Sequence, residues 1–256
     1  VTLNEFKKKV LEHSGIDLGF YQHSVVKRRI DNIMQKLRVD SLDNLWKIIS
    51  SSEIEFRRFA DFITINVTEF FRDFEKFEYL RKKIFPEVLK ITPEPFIWSA
   101  ACSTGDEAYS LAIILEELGF KRTVKILATD VDSEAIEKAR EGIYEDANLK
   151  NVSNSRKARF FVRNDGQFEV NEYIKNRVKF KHHDLLKEPF PSDRFHLIVC
   201  RNVIIHFDHG IKKDLYKRFH ASLKKGGFLF LGGVEKIINP EEIGFEVWEE
   251  GIYRKM

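Results

Sequence analysis

The sequence predicts an α/β fold with a mostly parallel sheet and an antiparallel C-terminal strand, preceded by a small all-helical domain. Three observations carry that expectation. From residue 2 to about 90 the apolar residues recur at helical intervals: Phe6, Val10 and Leu11, then Val26, Ile30, Ile33 and Leu37, then Leu42, Leu45 and Ile49. Beyond Pro93 and Pro95, short apolar runs alternate with amphipathic stretches, the pattern of parallel strands joined by crossover helices. At the end, FEVWEE and IYRKM flank Gly251 as two extended segments.

In the helical part, helices should stop near Gly15 and Gly19, and Asp40 or Ser41 can cap the helix that contains Trp46. The pattern continues over 55–62 until ITINVT interrupts it with β-branched and capping residues, and Thr68 is placed to N-cap a helix beginning EFFRDFEKF. Strands are expected at 96–100, 124–129, 178–181, 195–200 and 228–231, and helices at 106–118, 133–140 and 211–223. Between 145 and 177 the alternation breaks. There 159–162 and 167–170, joined through Asn164-Asp165-Gly166, predict a β-hairpin in a short inserted subdomain. The expected division is a helical domain over 1–80 and a second domain over 81–256 that carries the insertion.

A chain of 256 residues with 43% hydrophobic and 13% aromatic residues, including 23 phenylalanines, is neither disordered nor fibrous. No run approaches the roughly 18 apolar residues of a membrane span, and the first residues lack a signal-type apolar stretch, so a cytoplasmic protein without membrane insertion is expected. Cys102 and Cys200 are too few for a disulfide framework, and His182, His183, His209 and His220 show no metal-ligand spacing, so no metal is expected. Net charge is only +3, yet Lys27, Arg28, Arg29, Lys36 and Arg38 face a single acid, Asp31, on one predicted helix. That basic stretch suggests an acidic partner surface.

WSAACSTGDEAYS followed by ILATD predicts a strand, a glycine turn at 101–105, a helix, and a second strand ending in an acid. Such a turn aims backbone N–H groups at a ligand on the carboxyl edge of the sheet. It lacks the spaced G-x-G-x-x-G of pyrophosphate binders, which disfavours a nicotinamide dinucleotide. Asp130, 25 positions after Gly105, can accept both hydroxyls of a ribose. The pairing fits S-adenosylmethionine. Asp184 and Leu185 follow the strand VKFKHH and could contact adenine, Arg201 and Asn202 end the strand FHLIVC, and Glu107 in a first helical turn could meet the ammonium group.

NVTEFFRD (66–73), WSAACSTGDEAYS (98–110), ATDVD (128–132), CRNVIIHFD (200–208) and LKKGGFLFLGGVE (223–235) together resemble the CheR-type chemoreceptor glutamate methyltransferases, over essentially the whole chain. The resemblance implies a Rossmann-like S-adenosylmethionine methyltransferase domain and methylation of glutamate side chains on the cytoplasmic helices of chemoreceptors, with S-adenosylhomocysteine as product. It assigns Asn66, Thr68, Arg72, Glu107, Asp130, Asp184, Leu185, Arg201 and Asn202 to the cofactor or active site. His206 stands where the family usually has a tyrosine that lines the active site, and Asp184 where it usually has asparagine. The basic stretch becomes the candidate receptor-docking face, and the hairpin occupies the place of a subdomain that in some relatives binds a receptor-tail peptide.

A glutamate carboxylate is ionised at neutral pH and needs no general base to attack a sulfonium methyl, so catalysis can rest on alignment of the reacting atoms. Arg72, whose planar fork matches a carboxylate, and His206 are the catalytic candidates. Two other classes use the same cofactor fold: a nucleic-acid methyltransferase, against which stands the lack of an aromatic-flanked N/D-P-P-Y motif, and a non-catalytic sensor of the cofactor or its product.

Overall fold

The structure is a computed structural model that describes residues 1–14, 16–64, 68–121, 123–233 and 235–256. It contains two compact units, residues 1–67 with 206–212, and residues 68–205 with 213–256.

The first unit is helical, with α1 (Leu3–Ser14), α2 (His23–Leu37), α3 (Leu42–Ile49) and α4 (Glu53–Thr64). Each helix turns its apolar stripe inward, so Phe6, Val10, Val26, Ile30, Ile33, Leu45, Ile49, Phe56 and Phe59 form one core. Ser41 is the cap of α3, its side chain accepting from the Asn44 N–H at 3.2 Å. The strand-like residue Tyr21 pairs with Phe207 in the same unit, and the Gln22 N–H donates to the His206 carbonyl at 2.9 Å.

The second unit opens with α5 (Phe74–Tyr79), continued through a π-helical turn at Leu80–Ile84 into α6 (Phe85–Ile91). Then follow β1 (Ile97–Ala100), α7 (Asp106–Glu117), β2 (Ile126–Asp130) and α8 (Ser133–Glu141). The insertion comprises β3 (Ile143–Tyr144), α9 (Asn154–Phe160), β4 (Phe161–Asn164), β5 (Gln167–Val170) and α10 (Glu172–Lys175). The chain returns through β6 (Val178–His182), β7 (Phe195–Cys200), α11 (His209–Ser222) and β8 (Leu223–Leu231), and ends on β9 (Phe245–Glu249) and β10 (Ile252–Lys255).

The main sheet has the order β6-β2-β1-β7-β8-β10-β9. Neighbours from β6 to β8 are parallel, and β10 runs antiparallel to both β8 and β9, as expected. Strands β1 and β7 are buried along their whole length, which is why they read as continuous apolar runs. The insertion is larger than a hairpin: β3 joins β5 and β4 in a three-stranded sheet, and Asp165 and Gly166, both at positive φ, make the turn between β4 and β5.

Two expectations change. No helix begins at Thr68, because residues 70–73 form a turn and bend in which Phe71 (φ 52°) and Asp73 (φ 58°) adopt left-handed backbone that a helix excludes. The sequence division near residue 80 also differs from the compact units. Phe70, Phe71 and Phe77 belong to the core of the second unit, together with Leu111, Ala128 and Leu197.

Candidate functional site

At the carboxyl edge of the sheet, β1 lies between β2 and β7, so the chain leaves adjacent strands in opposite directions and opens a crevice there. The turn after β1 enters that crevice with Ala101 (φ 63°), Ser103 (φ 48°) and Gly105 (φ 91°) all left-handed. Two non-glycine residues in that region cost about 1–3 kcal/mol each, a strain that clusters at ligand sites. The Asp130 carboxylate secures the turn, accepting from the Ser103 N–H at 2.7 Å and the Asp132 N–H at 3.0 Å. It is 9% exposed, and burial raises its pKa against the pull of those N–H groups.

A second group gathers where β7 ends. Arg201 is buried with its guanidinium against the rings of Phe77 and Phe230, 5.3 and 4.9 Å from their centroids. It pairs with Asp73 and stands 3.7 Å from Glu107. The Ser99 hydroxyl donates to Glu107 at 2.8 Å. Burial lifts the Glu107 pKa, and the charges of Arg201 and Arg72 together with the Ser99 hydrogen bond oppose that lift. Arg72, Glu107 and Arg201, far apart in sequence, therefore share one electrostatic cluster.

The loop after β7 hangs on one carboxylate. Glu235, 2% exposed, accepts from the N–H groups of Gly232 (2.6 Å), Asn202 (2.8 Å), Val203 (3.0 Å) and Ile205 (3.2 Å). A Cβ at Gly232 would stand 2.6 Å from the Glu235 Oε2, so glycine is what lets the carboxylate in. Asn202 is held at φ 61° by the same arrangement.

The remaining expected residues divide as follows. Asp184 caps its own turn, accepting from the Leu186 N–H at 2.8 Å, with Lys187 at 3.7 Å, and Leu185 beside it is 7% exposed. The Thr68 carbonyl accepts from the Asn148 side chain at 3.3 Å. Asn66 lies outside the described residues. In the helical unit, His206 lies with both ring nitrogens 3.4 Å from the Arg29 Nη2. Burial, then the Arg29 charge, lowers its pKa to about 4, so the ring is neutral at pH 7. Arg29 departs from the expected docking face: it is 4% exposed and donates to the Ile63 carbonyl. Lys27, Arg28, Lys36 and Arg38 are exposed.

Comparison with known proteins matches residues 66–251 to the CheR methyltransferase, SAM binding domain, and residues 2–64 to the CheR methyltransferase, all-alpha domain. The chain belongs to the CheR methyltransferase family. The chemotaxis protein methyltransferase of Listeria monocytogenes is 33% identical over 251 residues, covering 98% of this chain and 95% of the relative. Chemotaxis protein methyltransferase 1 of Pseudomonas aeruginosa is 35% identical over 236 residues, covering 88% and 86%. That of Salmonella typhimurium is 34% identical over 242 residues, covering 90% and 82%.

The CheR family cofactor is S-adenosylmethionine, and the crevice fits it. The Ser103 Oγ and the Arg201 Nε are buried without partners, one at the end of β1 and one at the end of β7, so both sides of the crevice keep unspent hydrogen-bonding capacity. Each Asp130 oxygen retains a lone pair beyond its backbone bond, as a ribose diol requires. Glu107 offers a carboxylate to an ammonium.

Sequence reasoning missed Asp73 and Glu235 as members of this site. Asp73 sat within NVTEFFRD without a role of its own, and the structure pairs it with Arg201. Glu235 closed LKKGGFLFLGGVE, and an acid just past a glycine pair at a strand end was the available signal.

Proposed function

We propose that this methyltransferase esterifies glutamate side chains on the cytoplasmic helices of chemoreceptors, with Arg72 placing a carboxylate in the crevice. The observation that carries the reading is the turn around Arg72. Its two neighbours, Phe71 and Asp73, both hold left-handed backbone, and both are pinned, Phe71 by the Ser110 hydroxyl at 2.9 Å and Asp73 by Arg201. Backbone strain paid on both sides of one arginine supports a positional task for it.

Bound S-adenosylmethionine supplies an electrophilic methyl group on a sulfonium and leaves as S-adenosylhomocysteine. The protein's residues bind and orient. Asp130 and the 101–105 turn suit the ribose, Glu107 the ammonium, and Arg72 a carboxylate, either the substrate's or the cofactor's. A substrate glutamate arrives ionised, so no residue of the chain must remove a proton. His206, neutral at pH 7, fits a role in shape rather than proton transfer. On α2 and its C-cap, exposed Lys27, Arg28, Lys36 and Arg38 form the face proposed to dock acidic receptor helices.

Replacing Arg72 with alanine should lower labelled methyl incorporation into a receptor cytoplasmic fragment by about 100-fold, the effect of losing a charge-assisted carboxylate contact, with the thermal transition retained. Near-wild-type incorporation would remove Arg72 from the site. Neutralising Lys27, Arg28, Lys36 and Arg38 together should raise the apparent KM for receptor at low salt and leave kcat unchanged. An unchanged KM would move docking elsewhere.

A further inference from the structure

The inserted subdomain has no part in the chemistry described above, yet it touches each of residues 68–71, which lead into Arg72. We infer that the insertion is a clamp that holds the Arg72 turn in its strained form, and that Asn148 is its positioning residue. The inference rests on the reading of Arg72 as the carboxylate-placing group.

Asn148 stands in a short 3-10 turn between β3 and α9. Its backbone carbonyl accepts the Phe70 N–H at 3.0 Å. Its side-chain amide donates to the Thr68 carbonyl and to the Asp106 Oδ1, both at 3.3 Å. One residue thus ties the segment that enters the Arg72 turn to the first residue of α7, where the glycine turn ends. Asp106 is fully buried and, among the described residues, its other side-chain donor is the Thr104 hydroxyl at 2.7 Å, so the amide of Asn148 also completes a desolvated carboxylate.

The neighbours of Asn148 grip the same segment. Asn151 donates to the Glu69 carboxylate at 3.0 Å, and Lys150 pairs with it at 2.5 Å. Phe70 is fully buried, with Tyr144 and Phe161 of the insertion edge-on at 4.8 and 5.2 Å. At Phe71, and beyond Arg72 at Phe74, whose ring centroid is 5.9 Å away, the hold is made by Arg156 of α9. Its guanidinium lies 4.3 Å from the Phe71 ring centroid and is fixed by Glu117 at 2.7 Å and Glu78 at 3.2 Å. A residue such as Phe71 keeps left-handed backbone only where the surroundings over-determine it, and these contacts are those surroundings. The local sequence EFFRD has no glycine or asparagine to favour that backbone by itself.

The test is a mutant cycle on methyl transfer to a receptor fragment, using Asn148→Ala, Arg72→Lys and the double variant in the full chain. Asn148→Ala keeps the backbone bond to Phe70 and loses only the amide. It should lower kcat by about tenfold while the melting temperature moves by no more than about 4 °C, the shift that a loss near one hydrogen bond gives in a chain of this size. Once the turn is loosened, the fork of Arg72 is no longer held in place. Arg72→Lys should then cost much less in the Asn148→Ala background than in wild type. A purely structural Asn148 gives losses that multiply, and that result, or a wild-type kcat in Asn148→Ala, overturns the clamp while leaving the Arg72 reading in place. Wild-type rates in Arg72→Lys and in Arg72→Ala alike would defeat that reading and the clamp with it.

Discussion

Gly105 holds its place through packing. A Cβ there would stand 2.9 Å from the Ala139 Cβ and 3.1 Å from the Phe180 Cζ, and φ of 91° penalises any side chain. Gly105→Ala should therefore lower unfolding free energy by about 2–4 kcal/mol, read as a reduced urea midpoint at unchanged slope. The glycine was legible in the sequence as a turn, but its reason was not, since Ala139 and Phe180 come from α8 and β6. His206 makes a second residue-scale case. Its folded pKa of about 4 lies below the ordinary value of 6.5, so the unfolded chain binds the proton more readily between those values. The stability it contributes is complete above pH 6.5 and is lost as pH falls through 4. Allowing for its partial exposure, His206→Asn should remove about 1–2 kcal/mol of the stability difference between pH 7 and pH 4, by denaturant titration at both pH values. An identical pH dependence in the variant would contradict the burial account.

Among the elements, the ones best predicted are those whose burial matches their period. The strand at 195–200 is β7 to the residue, and the 106–118 helix differs from α7 only at its C-cap. The failures lie where distant residues set the backbone. Nothing in EFFRD announces left-handed Phe71, because Ser110 and Arg156 impose it. Strand β8 begins at Leu223 and was expected only from 228, with Gly226 and Gly227 inside the missed part. They sit where the pairing with β7 shifts register, and a Cβ on Gly227 would stand 2.9 Å from the Lys224 carbonyl oxygen. The β7 loop supplies the element-scale prediction. Glu235→Ala removes the acceptor of four backbone N–H groups and should cost about 3 kcal/mol of stability, with weaker binding of S-adenosylhomocysteine by calorimetry. Glu235→Gln keeps one acceptor oxygen and should lose less of both. Equal losses in the two variants would argue against the loop acting through its hydrogen bonds.

At the scale of the molecule, the α/β class, the helical unit and the S-adenosylmethionine cofactor were all legible, because parallel strands with crossovers and a glycine turn followed by an acid leave few alternatives. The electrostatic cluster of Arg72, Asp73, Glu107 and Arg201 was legible only as separate residues. Its joining depends on β7 lying beside β1, which no single stretch of sequence states. Membership of the CheR methyltransferase family disfavours both a nucleic-acid methyltransferase and a passive sensor. The central claim is that the methyl group ends on a carboxylate. Incubation with methyl-labelled S-adenosylmethionine and a chemoreceptor cytoplasmic fragment, followed by mild alkali, tests it most directly. The account predicts label on the fragment, released as methanol by alkali; alkali-stable label, or label on nucleic acid added in its place, would contradict it.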